Sequence, residues 1–194
     1  MRMSLMKNVI YKLNPYDPEV AKIIEMRVEF SPDIPNLFRQ IDHECAKSTI
    51  YGTYLAMVEK EMERLKEKRR HESSPRWQAN YDLIYAQIIA YQARMYEYRE
   101  YLMQFKANPK VVPATKPPNL THTGWDIATR KETITEEVKP YIERATAMFK
   151  AVMADHPGTP WAARADYELK RGFGVHLIEE YHAPYRTLPP GTQL

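Results

Sequence analysis

Apolar residues recur at alternating spacings of four and three from Trp77 to Phe105: Trp77, Tyr81, Ile84, Ile88, Tyr91, Met95, Tyr98, Leu102 and Phe105. This spacing keeps one side of an α-helix apolar for about four heptads, ~42 Å at ~1.5 Å per residue. Ile89, Tyr96 and Met103 each lie one position past a seam residue and widen the stripe, so the helix is expected to be covered by other elements. Tyrosine stands where a coiled coil normally carries leucine, and a phenol needs its hydroxyl at a rim or on a partner. Ala79, Ala86 and Ala93 recur every seven residues beside the seam and would let a third helix approach closely.

Upstream, Asp17-Pro18-Glu19 opens a helix whose face is Val20, Ile23, Ile24 and Val28 and which stops before Ser31-Pro32. Asp33 or Pro35 opens a second helix running to about Arg70, with Leu37, Ile41, Tyr51, Leu55, Val58, Met62 and Leu65 as its seam. Glu44, Ser48 and Gly52 interrupt that seam and predict a kink or break between residues 44 and 53. In Glu59–Ser74 the signs alternate at helical spacing, so Glu61 can reach Arg64, Glu63 can reach Lys66 and Glu67 can reach Arg70. Ser74-Pro75 separates the two long helices by only a few residues, which predicts an antiparallel helical hairpin.

Downstream of Ala107 the helical period vanishes. Residues 108–133 are proline-rich and read as a connecting loop, pinned to the hairpin by Trp125, Ile127 and Val111-Val112 or presenting Trp125 to a partner. Helical patterning resumes with Val138, Tyr141, Ile142, Ala145, Met148, Phe149 and Val152, starting at Thr135 or nearer Lys139. Pro157-Gly158 stops that helix, Thr159 caps the next, and Trp161, Ala162, Ala165 and Leu169 line it up to Gly172 or Gly174. Val175, Leu177, Ile178 and Tyr181 suggest a further turn or two of helix, and the prolines from Pro184 onward an irregular tail. The expected organisation is all-α: a hairpin region over 1–107, the loop over 108–133, a helix pair over 134–183 and the tail over 184–194.

The 194 residues carry a formal charge of only +3, so composition points to no nucleic-acid partner. Lys66, Lys68, Arg69 and Arg70 are the one basic cluster, and interleaved glutamates argue against a nucleic-acid surface there. One cysteine, Cys45, excludes an internal disulfide and makes a reducing, cytoplasmic setting the default, with export left open should the chain be part of a longer precursor. No window approaches the ~20 apolar residues of a membrane span. His122 and Asp126 are two potential metal ligands where a zinc site wants three or four, Glu179 and His182 are a lone Glu-x-x-His spacing, and His43 and Cys45 are two apart and do not face each other on a helix. No metal or other cofactor is therefore expected.

Ala145-x-x-x-Phe149, Val152-Met153, His156-Pro157-Gly158-Thr159-Pro160, Trp161-Ala162, Ala165 and Leu169 resemble one tetratricopeptide-type helical hairpin over Tyr141–Leu169. More faintly, Arg76–Leu102 together with Asp155–Gly174 is similar to the helical C-terminal regions of bacterial proteins that carry a von Willebrand factor A domain upstream. The D-x-S-x-S metal motif of that domain does not occur in this chain. The resemblance implies an accessory helical region without a metal site.

The function expected on these grounds is a non-enzymatic interaction or assembly module, binding a protein partner or a second copy through Trp125, Tyr96, Lys66, Arg69 and Arg70. The alternative is a helical-bundle enzyme or metal protein.

Overall fold

A computed structural model describes residues 26–184. Its elements in order are β1 (Glu29–Phe30), α1 (Ile34–Arg70), α2 (Pro75–Ala107), β2 (Thr115–Lys116), β3 (Leu120–Arg130), α3 (Lys139–Asp155), α4 (Pro160–Arg171) and β4 (Gly174–His182). Helices take 62% of these residues and strands 15%, so the fold is mainly helical with an antiparallel sheet, and the all-α expectation is corrected.

The long helices begin where capping chemistry places them. The Asp33 carboxylate accepts the Asn36 amide at 3.1 Å, and Pro75 opens α2 directly after Ser74. Contacts between α1 and α2 run in opposite order along the chain: Arg69 to Asp82, Glu59 to Gln92, Asp42 to Lys106. Of the kink or break expected between residues 44 and 53, the break does not occur: α1 runs on for 37 residues. Its polar interruptions are buried and bonded instead. Glu44 accepts the Arg27 amide at 2.9 Å and Lys47 at 3.1 Å, and the Ser48 hydroxyl returns to Cys45 O at 2.8 Å. The predicted first helix lies almost wholly outside the described residues, and its final part from Met26 to Phe30 is extended and ends in β1.

Two further expectations fail. The connecting loop contains β2 and the eleven-residue β3, and the supposed last helical turn is β4. In β4 the period is two, not 3.6: Val175 and Leu177 point to the core and Ile178 points out. β3 pairs antiparallel with β4 from Thr121↔His182 to Arg130↔Gly174, while β1 and β2 pair with its other edge. A register shift lies between His122 and Gly124, and a Cβ at Gly124 would stand 2.6 Å from Phe30 O, so glycine lets β1 close against β3.

α2 runs through two cores. Its N-terminal half packs Leu83, Ala86, Ile89 and Ala93 with Phe149, Val152 and Ala165 of α3 and α4. Its C-terminal half packs Tyr98, Leu102 and Phe105 with Phe30, Trp125, Val175 and Leu177. α3 starts at Lys139, the later of the two expected positions, and the Thr159 hydroxyl caps α4 by accepting the Ala162 amide.

Between the two cores lie three buried charges, and each has partners. Glu97 accepts the backbone amides of Ile134 and Thr135 at 2.9 Å, holding the passage from β3 to α3. Arg94 donates to Glu168 at 2.6 Å and to Gly172 O at 2.9 Å, holding the return from α4 to β4. At Gly172, φ is +81° and a Cβ would come within 2.4 Å of Arg130 O, so only glycine fits where the two passages meet.

Candidate functional site

Where the end of α1, the start of α2 and the middle of α3 converge, they enclose a cleft of about 430 Å³. α1 contributes Glu63, Lys66, Arg69 and Arg70, which helical spacing brings to one side. α2 adds Tyr81, Asp82 and Tyr85, and α3 adds Arg144, Ala147 and Met148.

A polar chain crosses the cleft. Arg144 donates to the Tyr85 hydroxyl, Tyr85 donates to Glu63, and Lys66 also donates to Glu63, at 3.1 Å. Arg69 grips Asp82 with two bonds of 2.9 and 2.5 Å, and His156 Nε2 meets the same carboxylate at 3.0 Å. The Tyr81 hydroxyl donates to Met62 O at 2.6 Å. The expected i,i+3 pairs all form: Glu61 with Arg64, Glu63 with Lys66 and Glu67 with Arg70.

Burial, reinforced by the Glu63 and Asp82 charges, pushes the Tyr81 phenol up to about 12. Burial and the hydrogen bond to Glu63 push Tyr85 further in the same direction, and that bond also draws the Glu63 carboxyl below its ordinary value. Both tyrosines therefore stay neutral donors across the physiological range. Arg69 is raised, chiefly by its bond to Asp82.

The hydrogen bond between His156 and Asp82 ties the α3–α4 turn to α2. Cys45 points elsewhere, its thiol 3.8 Å from Arg99 O and pushed up to about 11 by burial and then by Asp42, while His43 meets Glu44. No cluster of three or more His, Cys, Asp or Glu suited to a metal forms among the described residues. His122 packs edge-on against Trp125, with ring centres 5.1 Å apart. Glu179 binds Lys110 and Lys116 (2.7 Å to the latter), while His182 meets Glu180 at 3.1 Å. A strand sends residues three apart to opposite faces, which separates that Glu-x-x-His spacing.

The structure brings Lys66, Arg69 and Arg70 together in the cleft and leaves the other expected residues elsewhere. Trp125 is 2% exposed, edge-on to Phe105 in the sheet core with ring centres 5.0 Å apart, and presents no surface to a partner. Tyr96 is 40% exposed and belongs to a second, smaller cleft of about 310 Å³, where it stacks on Tyr141 and lies under Arg99. Sequence reading missed Asp82, Tyr85 and Arg144. Tyr81 carried a signal, being a phenol at a seam position; Arg144 carried none, since only the packing of α3 on α2 brings it in.

No helix among the described residues is long and apolar enough to cross a membrane. No family model, curated protein or solved structure matches this chain.

Proposed function

We propose that the protein is a non-catalytic interaction module in which the α1–α2 helical hairpin and a tetratricopeptide-like helix pair hold an acidic segment of a partner protein. One observation carries this reading: cations from two helices, Lys66, Arg69, Arg70 and Arg144, converge with two neutral phenols on a single cleft. Two of those cations are easily released. Lys66 and Arg70 are held by glutamates within the same helix, and both partners of each pair are half or more exposed. Such pairs are worth only ~0.3–0.5 kcal/mol each, so a partner carboxylate can replace Glu63 or Glu67 at little cost. Arg69 is spoken for by Asp82 and keeps the wall in place.

The test is fluorescence anisotropy of a labelled glutamate-rich peptide with the full chain at low and moderate salt. Saturable binding, weakened at least about tenfold in the K66E/R70E variant, is the expected result. Absence of binding at low salt, or binding indifferent to that charge reversal, refutes the reading. Tighter binding of heparin than of the peptide at equal charge also refutes it, in favour of a polyanion surface.

A further inference from the structure

Strand β4 bonds to β3 along one edge, and among the described residues no strand pairs with the other. An open edge nine residues long displays a row of unpaired backbone donors and acceptors, which is a template for another strand. Val175 and Leu177 face the core, so His176, Ile178, Glu180 and His182 form the outward row of β4. At its centre Ile178 is 43% exposed, a large apolar side chain on a strand face with water beside it.

We propose that a second copy of this chain pairs antiparallel with this edge, with the two-fold axis, perpendicular to the sheet, passing at Ile178. Complementarity of imidazole and carboxylate, donor against acceptor, selects both the partner and the register. With the axis there, Ile178 meets Ile178 of the second copy and each His176 stands opposite a Glu180, giving two complementary pairs around an apolar centre. Shifting the axis one residue toward the C-terminus sets Glu179 against Glu179 and His176 against His182. Shifting it one residue the other way sets His176 against Ile178 and Val175 against Glu179. Of these three registers only the first sets an imidazole opposite a carboxylate. Glu180 already meets His182 of its own strand at 3.1 Å, so its carboxylate sits in place on the outward face. The pairing would join two four-stranded sheets into one of eight, and it leaves the basic cleft out of the contact because no cleft residue lies on β4.

Sedimentation velocity of the full chain over a concentration series tests this. The expected mass rises from 22.8 kDa toward twice that value. I178K, which puts two ammonium groups at the axis, and H176E, which sets Glu against Glu twice, should each weaken the dimer about tenfold or more. The double variant H176E/E180H restores both complementary pairs and should recover most of the loss. Hydrogen exchange of wild-type β4 amides, which should slow as concentration rises, tests the same contact without any substitution. A monomer at every concentration, a dimer indifferent to I178K, a double variant as weak as H176E, or β4 exchange independent of concentration would each overturn the proposal. Circular dichroism of the variants separates lost association from lost folding.

Discussion

The two halves of α2 solve one problem in different ways. Its N-terminal half meets other helices and buries alanines: Ala79, Ala86, Ala90 and Ala93 are all essentially inaccessible. Its C-terminal half meets a sheet and buries rings, with Tyr98 and Phe105 against Phe30 and Trp125. Alanines on this face let α3 approach closely, and Phe149 fills the space from the opposite helix. The sheet presents short side chains such as Val175 beside large ones, and aromatic rings bridge the remaining distance. Chain passages between the halves are not packed with hydrocarbon at all. They are clamped by Arg94 and Glu97, one helical turn apart.

If the halves are distinct cores, each should fail by itself. Trp125→Ala and Phe149→Ala remove the largest fully buried side chain on either side, and each is expected to cost ~3–5 kcal/mol. Denaturant unfolding measures the cost, and native-state hydrogen exchange locates it. Loss of protection in β3 and β4 for the first variant, and in α3 and α4 for the second, is the expected split. Identical exchange patterns would mean one cooperative core, and the comparison would fall.

Arg94→Ala acts at the junction and should affect both halves. Glu168 is fully buried, and removing Arg94 leaves it with Gln87 at 3.2 Å and Arg164 at 2.9 Å as its close partners. Breaking a buried pair from one side costs ~3–5 kcal/mol where the charge left behind is uncompensated, and the retained Arg164 pair keeps the cost here below that range. Arg94 also closes Gly172 O, so exchange should quicken in α4 and in β4 together.

The helical half was legible in the sequence and the sheet half was not. Asp33, Pro75 and Thr159 mark helix starts through local hydrogen bonding, and the heptad of alanines marks the face that α3 covers. The eleven residues of β3 offered no such local sign, since Gly124 and the flanking prolines interrupt its alternation and its partner lies about fifty residues on, with Asp126 opposite Ile178. Val175, Leu177, Ile178 and Tyr181 fit a helix spacing as well as a strand, and only pairing with β3 decides between them. Glu44 and Ser48 were read as interrupting α1 because the apolar pattern ignores the partners they find three residues away on the same helix, Lys47 and Cys45 O; only the Arg27 amide comes from the fold. The cleft was half legible. The basic run on α1 is local, whereas Asp82, Tyr85 and Arg144 reach it only through packing.

A subtler probe addresses the sheet half by pH. Lys110 and then Lys116 hold the Glu179 carboxyl down at about 2, against an ordinary value of 4.5. A carboxyl depressed by folding contributes stability that is complete above its unfolded value and disappears as pH falls through the folded one. Glu179→Gln should therefore lower the thermal midpoint at neutral pH, and the difference from wild type should close between about pH 4.5 and pH 2. Phe149→Ala, in the other half, should show a difference that does not follow that window. A Glu179→Gln difference independent of pH would remove the ion pairs as the tie between the 110–116 segment and β4.

The smallest effect is the sharpest control on the comparison of clamped and unclamped charges. Arg64 and Arg94 are both arginines within long helices, each within 3 Å of a glutamate. Arg64 is three-quarters exposed and pairs with Glu61 one turn away on the same helix, so solvent and salt screen it and water replaces the glutamate without loss. Arg64→Ala is expected to change stability by no more than ~0.5 kcal/mol, and that remnant should vanish in molar salt. Arg94→Ala should keep most of its cost in the same salt, because the Glu168 carboxylate has no exposed surface. Salt-dependent loss at position 94, or a large loss at position 64, would mean that the junction is wetter than its packing implies and that the two cores meet through solvent.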